Sequence, residues 1–432
     1  MTYRQYINIL SIIAICIFVF VIVKYSLNIP IYDDYDIVVR HIYLLSIEKI
    51  SLQDEITFLF SQHNEHRVVV SRLFVLCQWY LTNVIDIKHL IILSNIIFSI
   101  GLFFVLNYIT NTLFEGYQTL IATLIAYLLI YNFINWDDFL YYPNCPQHPL
   151  SIIFSMVALI CLDKYAKEHR NIYFVFCIVF SMIATYSFSS SLVLPPVAVV
   201  YLIVIKDYKK FVWYCVFIIP VTLLYFWGYK TTSDVPPFEF WRFFKYSIQS
   251  SGAYLNIGTR GRPSGYLPIY IIGLFSWIWI AFLLSKKYLH KNTLLFCMII
   301  LLFGMLLILN LGRTVTGGLA AVSRYQIYFS FFGTWIILSI LRYFLENRII
   351  WSSIFLFVVI QSFISYNDFE ITIKNKNDDI IRDFTKWQSK SSLVLEKFTP
   401  KERIVQCSAY MDSLYLHKTY LPPDFAAQSN FK

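Results

Sequence analysis

The apolar stretch Ile7–Leu27 (INILSIIAICIFVFVIVKYSL) runs almost directly into Tyr32-Asp33-Asp34-Tyr35-Asp36. The run is too long for a signal-peptide core and lacks a small-residue cleavage site, so it should stay in the bilayer as a signal anchor. Arg4 ahead of it keeps the N-terminus in the cytoplasm. Three carboxylates just beyond a lipid span are costly near hydrocarbon unless they perform a task. A second polar cluster, Gln62-His63-Asn64-Glu65-His66-Arg67, answers them. The pair of clusters reads as a site at the membrane surface carried on an all-α polytopic scaffold.

Composition agrees. The 432-residue chain is 58% hydrophobic and only 14% charged, which lies outside the soluble range. Its net charge of +9 is spread over short loops, a topology signal that excludes a nucleic-acid surface. Aromatic residues, at 19%, suit interfacial belts and the lining of a sugar or lipid groove. Eight cysteines without a CxxC pair indicate neither a zinc site nor a disulfide framework; most sit inside apolar runs, and the exceptions, Cys145 and Cys407, fall in segments expected outside the cytoplasm. No Walker loop, GxSxG elbow or dinucleotide fingerprint is present, so nucleotide-driven chemistry has no machinery.

Further apolar runs occupy 89–110, 118–134, 149–162, 172–187, 190–205, 211–228, 267–285, 293–311, 326–342 and 349–366, giving about 11 transmembrane helices with the anchor. Basic loops at 163–170, 206–210, 286–291 and 342–348 alternate as cytoplasmic segments. Parity then places 28–88, 135–148 and the C-terminus outside, and lays the run 68–84 along the outer surface; the alternative, a twelfth span there, would put one terminus on the other side. With the amphipathic stretch 37–50 it makes an external first loop containing two interfacial helices. A second external loop, 230–266, holds Pro236-Pro237 and several glycines that argue against regular structure. Residues 1–366 thus form the transmembrane domain, and 367–432 a small external polar segment with a helix near 378–398. No internal repeat is evident, which disfavours an inverted-repeat transporter.

On this topology the strongly polar groups share one face: Asp33, Asp34 and Asp36; His63, Asn64, Glu65, His66, Arg67 and Arg72; Asp137, Asp138 and His148; Arg260, Arg262, Arg313 and Arg324. Any one cluster is an ordinary helix end. Several of complementary charge on one face favour a site. Adjacent Asp33 and Asp34 cannot point the same way, and repulsion among the three aspartates raises at least one proton affinity, as a general base requires. Arginine forks suit phosphate oxygens. Asp137 and Asp138 read either as a solvated turn or as acceptors for a substrate hydroxyl. His63 and His66 lack the HExxH spacing and a third ligand, so zinc is not indicated. No cofactor is assigned, although Asp34 and Glu65 leave room for a divalent metal.

This order of elements resembles the GT-C superfamily of membrane glycosyltransferases: an anchor, Tyr-Asp-Asp-Tyr-Asp, Gln-His-Asn-Glu-His-Arg, and an acidic loop at Trp136-Asp137-Asp138. It is most similar there to bacterial enzymes that decorate O-antigen or other envelope glycans, including serotype-converting glucosyltransferases. Gly312-Arg313 with Ser323-Arg324-Tyr325 resembles a late external motif of related proteins. The resemblance implies a catalytic carboxylate at Asp33 or Asp34 and a second acidic element at Asp137 and Asp138. It implies transfer of one sugar, such as glucose, from a polyprenyl-phosphate donor to a glycan hydroxyl at the outer face of the bacterial inner membrane. A single displacement would invert the anomeric centre. The chain departs from oligosaccharyl and aminoarabinose transferases in lacking a large soluble domain. Competing readings are an O-antigen polymerase and a flippase or transporter of lipid-linked sugar. The spans carry few mid-bilayer charges, which argues against the transporter.

Overall fold

The computed structural model describes residues 3–230, 238–255, 267–316, 323–389 and 404–423. Among them the regular strands are the hairpin partners Gln62–His63 and His66–Arg67; nearly everything else is helix. Among the described residues, eight helices are long and apolar enough to cross a membrane. The other expected spans appear as a 17-residue helix, Asn171–Ser187, a shorter segment, Ser189–Val204, and the 18-residue helix Gln326–Tyr343.

Gln326–Tyr343 is less apolar because it lies inside the bundle rather than against lipid. Almost every one of its residues is buried, and its polar groups find protein partners, as Ser330 Oγ does in donating to Asn135 Oδ1 at 3.0 Å. An enclosed helix has no need of a lipid-soluble face.

Two of the basic connections, 163–170 and 206–210, meet. Asp163 accepts from Tyr201 Oη at 2.7 Å, from Lys167 Nζ at 2.8 Å and from Tyr108 Oη, while Lys210 Nζ donates to Asn171 Oδ1 at 2.7 Å. Gln118 Nε2 donates to Leu345 O at 2.8 Å and ties the start of Gly116–Ile130 to the connection after Gln326–Tyr343.

The first loop holds more structure than its sequence suggested. A helical stretch in three consecutive pieces, Tyr35–Val39, Arg40–Tyr43 and Leu44–Glu48, covers most of the expected 37–50 and ends at Lys49, whose φ is +51°. It is followed by an unanticipated helix, Leu52–Phe60, whose start is capped by Ser51 Oγ accepting from Asp54 N at 3.2 Å. Val69–Thr82 has 14 residues, about 21 Å, too short for a hydrocarbon core of about 30 Å. It buries Val69, Val70, Val75 and Leu76 and exposes Leu73, Tyr80 and Leu81.

His41 is sealed beneath this loop against the Phe58 ring, 4.6 Å between centroids. Burial, and secondarily the positive charge of Arg72, lowers its pKa from 6.5 to about 3. Between those values the unfolded chain takes up a proton that the folded chain refuses. Acidification therefore withdraws stability, by about 1.4 kcal/mol per pH unit well inside the window. The melting temperature of the solubilised protein should fall between pH 7 and 5, and His41→Phe should flatten that slope. An identical slope in the variant would show that His41 plays no part.

Two further elements depart from expectation. Phe240–Gly252 is a helix within the stretch expected to be irregular, and it packs on Leu267–Ser285. Arg348–Gln388 is one continuous helix of 41 residues, about 61 Å, so the boundary placed at 366/367 falls in its interior. Beyond it, Ile404–Leu416 and the following residues dock on the first loop. Tyr420 Oη donates to Asn28 O at 2.6 Å, Asn28 Nδ2 donates to Leu421 O at 3.0 Å, and the Tyr43 and Tyr410 rings meet at 4.5 Å.

Candidate active site

A cavity of 740 Å³ opens at the end of the bundle away from the basic cluster. Its wall draws on the first loop and on the connections near 144–148, 188–192, 225–229, 308–313 and 324–325. Of the residues singled out in the sequence, Asp33, His63, Asn64, Glu65, His66, His148, Arg313 and Arg324 line it together. Asp34, Asp36, Arg67, Arg72, Asp137 and Asp138 do not, and Arg260 and Arg262 lie outside the described residues.

The adjacent aspartates part company. Asp33 is half-buried on the cavity wall with Oδ1 3.6 Å from His63 Nε2. Asp34 turns inward, where its Oδ2 accepts from Ile31 N at 2.9 Å and its other oxygen has no partner. Its proton affinity is raised well above the ordinary carboxylate range chiefly by burial, with the Asp33 charge adding to it and the Ile31 N–H opposing. The expected repulsion is thus present but secondary. Asp36 sits on the next helical turns, where its charge supports that of Arg72.

Arg67 and Arg72 fasten the loop rather than face the cavity. Arg67 Nε donates to Tyr225 O at 2.6 Å, and its two terminal nitrogens donate to Phe60 O and Trp227 O. Arg72 Nη1 donates to Phe58 O and Ser61 O, both at 2.7 Å, at the end of Leu52–Phe60. Carbonyls at a helix C-terminus carry partial negative charge, which suits a guanidinium. Tyr229 Oη donates to Glu65 O at 3.1 Å and closes the hairpin onto the chain at 225–230.

The cationic part of the cavity is built around Tyr325. The Arg313 and Arg324 guanidiniums lie 4.7 and 5.5 Å from its ring centroid, and Arg313 donates to its hydroxyl. Burial works against the charge of Arg324. Tyr325 and the carboxylates of Asp33, Asp137 and Asp138 outweigh it and raise its pKa. Asp138 is fully buried and accepts from Ile327 N at 3.3 Å, capping the helix Gln326–Tyr343. The second acidic element therefore acts from behind Arg324.

His66 and His148 flank Phe188 at 4.1 and 4.4 Å between ring centroids. His66 Nδ1 meets Ser189 Oγ at 2.7 Å, and His148 Nδ1 meets Tyr328 Oη at 3.4 Å. Burial first, then His63 and the two arginines, lowers the His66 pKa to about 3, so it is neutral near pH 7. Phe188, Ser189, Tyr225 and Tyr229 were not anticipated as site residues. The run Ser189-Ser190-Ser191 between two apolar stretches was the available signal.

Asp34 and Glu65 face different cavities, so they do not make a common ligand pair. Among the described residues no three His, Cys, Asp or Glu side chains group to hold a metal ion. Comparison with protein-family models, curated proteins and solved structures gave no match to this chain.

Proposed function

We propose that this protein is a GT-C-like membrane glycosyltransferase that moves a single sugar from a polyprenyl phosphate to a hydroxyl of an envelope glycan such as O-antigen. The observation that carries the reading is one cavity holding the Asp33 carboxylate together with the guanidiniums of Arg313 and Arg324. Its 740 Å³ falls within the roughly 300–1,000 Å³ usual for small-molecule sites. About 11 helices cross the inner membrane, with the basic cluster in the cytoplasm and the cavity on the periplasmic side, as the positive-inside rule orders them.

In the proposed reaction the acceptor oxygen forms a bond to the anomeric carbon as the bond from that carbon to the phosphate oxygen breaks. The acceptor proton passes to Asp33, and the bonding pair leaves with the polyprenyl phosphate. Arg313 and Arg324 stabilise the charge that grows there. Asp33 later returns its proton to water. A single displacement of this kind inverts the anomeric configuration.

Deleting the gene and comparing envelope glycans by mass spectrometry tests the reading. A loss of one hexose-sized branch, restored by the wild-type chain, is the expected result. Shortened chains with intact repeat units would point to a polymerase. Retained configuration in the product would overturn the single displacement.

A further inference from the structure

The tip of the hairpin is fastened from several sides. His63 pairs with His66, so Asn64 and Glu65 form the turn, and Asn64 takes the left-handed region at φ +49° that asparagine tolerates well. Gln62 clasps the facing chain with both ends of its amide: Nε2 donates to Lys230 O at 2.7 Å, and Oε1 accepts from Lys230 N at 2.9 Å. Tyr229 Oη holds the carbonyl of Glu65, and Arg67 grips carbonyls beside it. The backbone under Glu65 is therefore fixed. Its carboxylate, half-buried in the cavity wall, makes no hydrogen bond or ion pair among the described residues. A carboxylate held ready with free lone pairs suits hydroxyl donors, which it binds by charge-assisted hydrogen bonds, and it repels phosphate.

Its position separates it from the phosphate end of the cavity. The carboxylates whose charge supports Arg324 are those of Asp33, Asp137 and Asp138; that of Glu65 acts on Tyr229 instead. Asp33 belongs to both sides, supporting Arg324 and standing 3.6 Å from His63, the residue before the turn. A general base must reach the hydroxyl it deprotonates, and in a single displacement that hydroxyl approaches opposite the departing phosphate. The side of Asp33 towards the hairpin tip is then the acceptor's.

We infer that Glu65 is the acceptor-binding carboxylate, taking hydrogen bonds from hydroxyls of the acceptor sugar and so setting that sugar against Asp33. The inference rests on the transferase reading above and extends it to the acceptor side of the cavity.

Steady-state transfer by the full-length, detergent-solubilised protein tests it. The lipid extract of the gene-deleted strain serves as donor source and the delipidated glycan of that strain as acceptor, with product followed by its mass gain. Glu65→Gln should raise the glycan concentration at half-maximal rate about tenfold, the effect of one charge-assisted hydrogen bond, and leave the maximal rate within a few-fold of wild type. Half-saturation by the lipid extract and inhibition by dodecyl phosphate should not change. Glu65→Ala, with neither charge nor acceptor, should need more glycan still. An unchanged glycan dependence in both variants, or a loss of maximal rate alone, would overturn the assignment. A rise confined to the lipid extract would do so too, by moving Glu65 to the donor sugar, and all three outcomes leave the transferase reading standing. No transfer by wild type would overturn that reading itself.

Discussion

Asp33→Asn is expected to abolish sugar transfer, lowering the rate by about 10²–10⁴-fold, the usual contribution of a positioned general base. The side chain keeps its size and its place beside His63, so stability and donor binding should hold. Asp34→Asn is the informative companion. Asp34 is sealed away from the cavity with a raised proton affinity, and one oxygen accepts from Ile31 N. An amide oxygen can accept that bond equally well, so transfer should stay within a few-fold of wild type. Rates measured on both variants with a polyprenyl-phosphate sugar decide the matter. Full activity in Asp33→Asn, or its loss only in Asp34→Asn, would reverse the assignment.

The second large effect concerns folding. Gly252 and Gly273 let Phe240–Gly252 and Leu267–Ser285 touch backbone to backbone. A Cβ on Gly252 would stand 1.9 Å from Ile269 O, and one on Gly273 equally close to Ile248 O. Neither obstacle is a side chain that can swing aside. Gly273→Leu must drive the helices apart, at a cost of about 3 kcal/mol or more. Little monodisperse protein should survive gel filtration in detergent, whereas Gly312→Ala, where a Cβ meets nothing within 4 Å, should elute as wild type. A normal Gly273→Leu profile would refute the close approach.

Much of the scaffold was legible because spans announce themselves by length and apolarity, and basic loops set their alternation. The gathering of polar clusters at one end followed from that parity, and the cavity brings Asp33, His63, Glu65, His66, Arg313 and Arg324 together there. What stayed hidden was direction. Nothing in Asp33-Asp34 says which turns inward, because that depends on the turn at Ile31. Asp138 and Arg67 looked like site residues, since a carboxylate that caps a distant helix and a guanidinium that binds distant carbonyls have the same composition as catalytic ones. Leu52–Phe60 was readable after all: Ser51 with Asp54 three residues later is a helix-start signal.

The shortness of Ser189–Val204 bears on the lipid around the site. In the proposed arrangement its 16 residues reach about 25 Å, against a hydrocarbon core of about 30 Å. Its upper end, Ser189 and Leu192, is also part of the cavity wall. A hydrophobic mismatch of roughly 5 Å then falls along this helix, which the bilayer can meet by thinning locally. Thinning on the cavity side would lower a lipid-anchored phosphate towards the arginines before any contact with the protein is made.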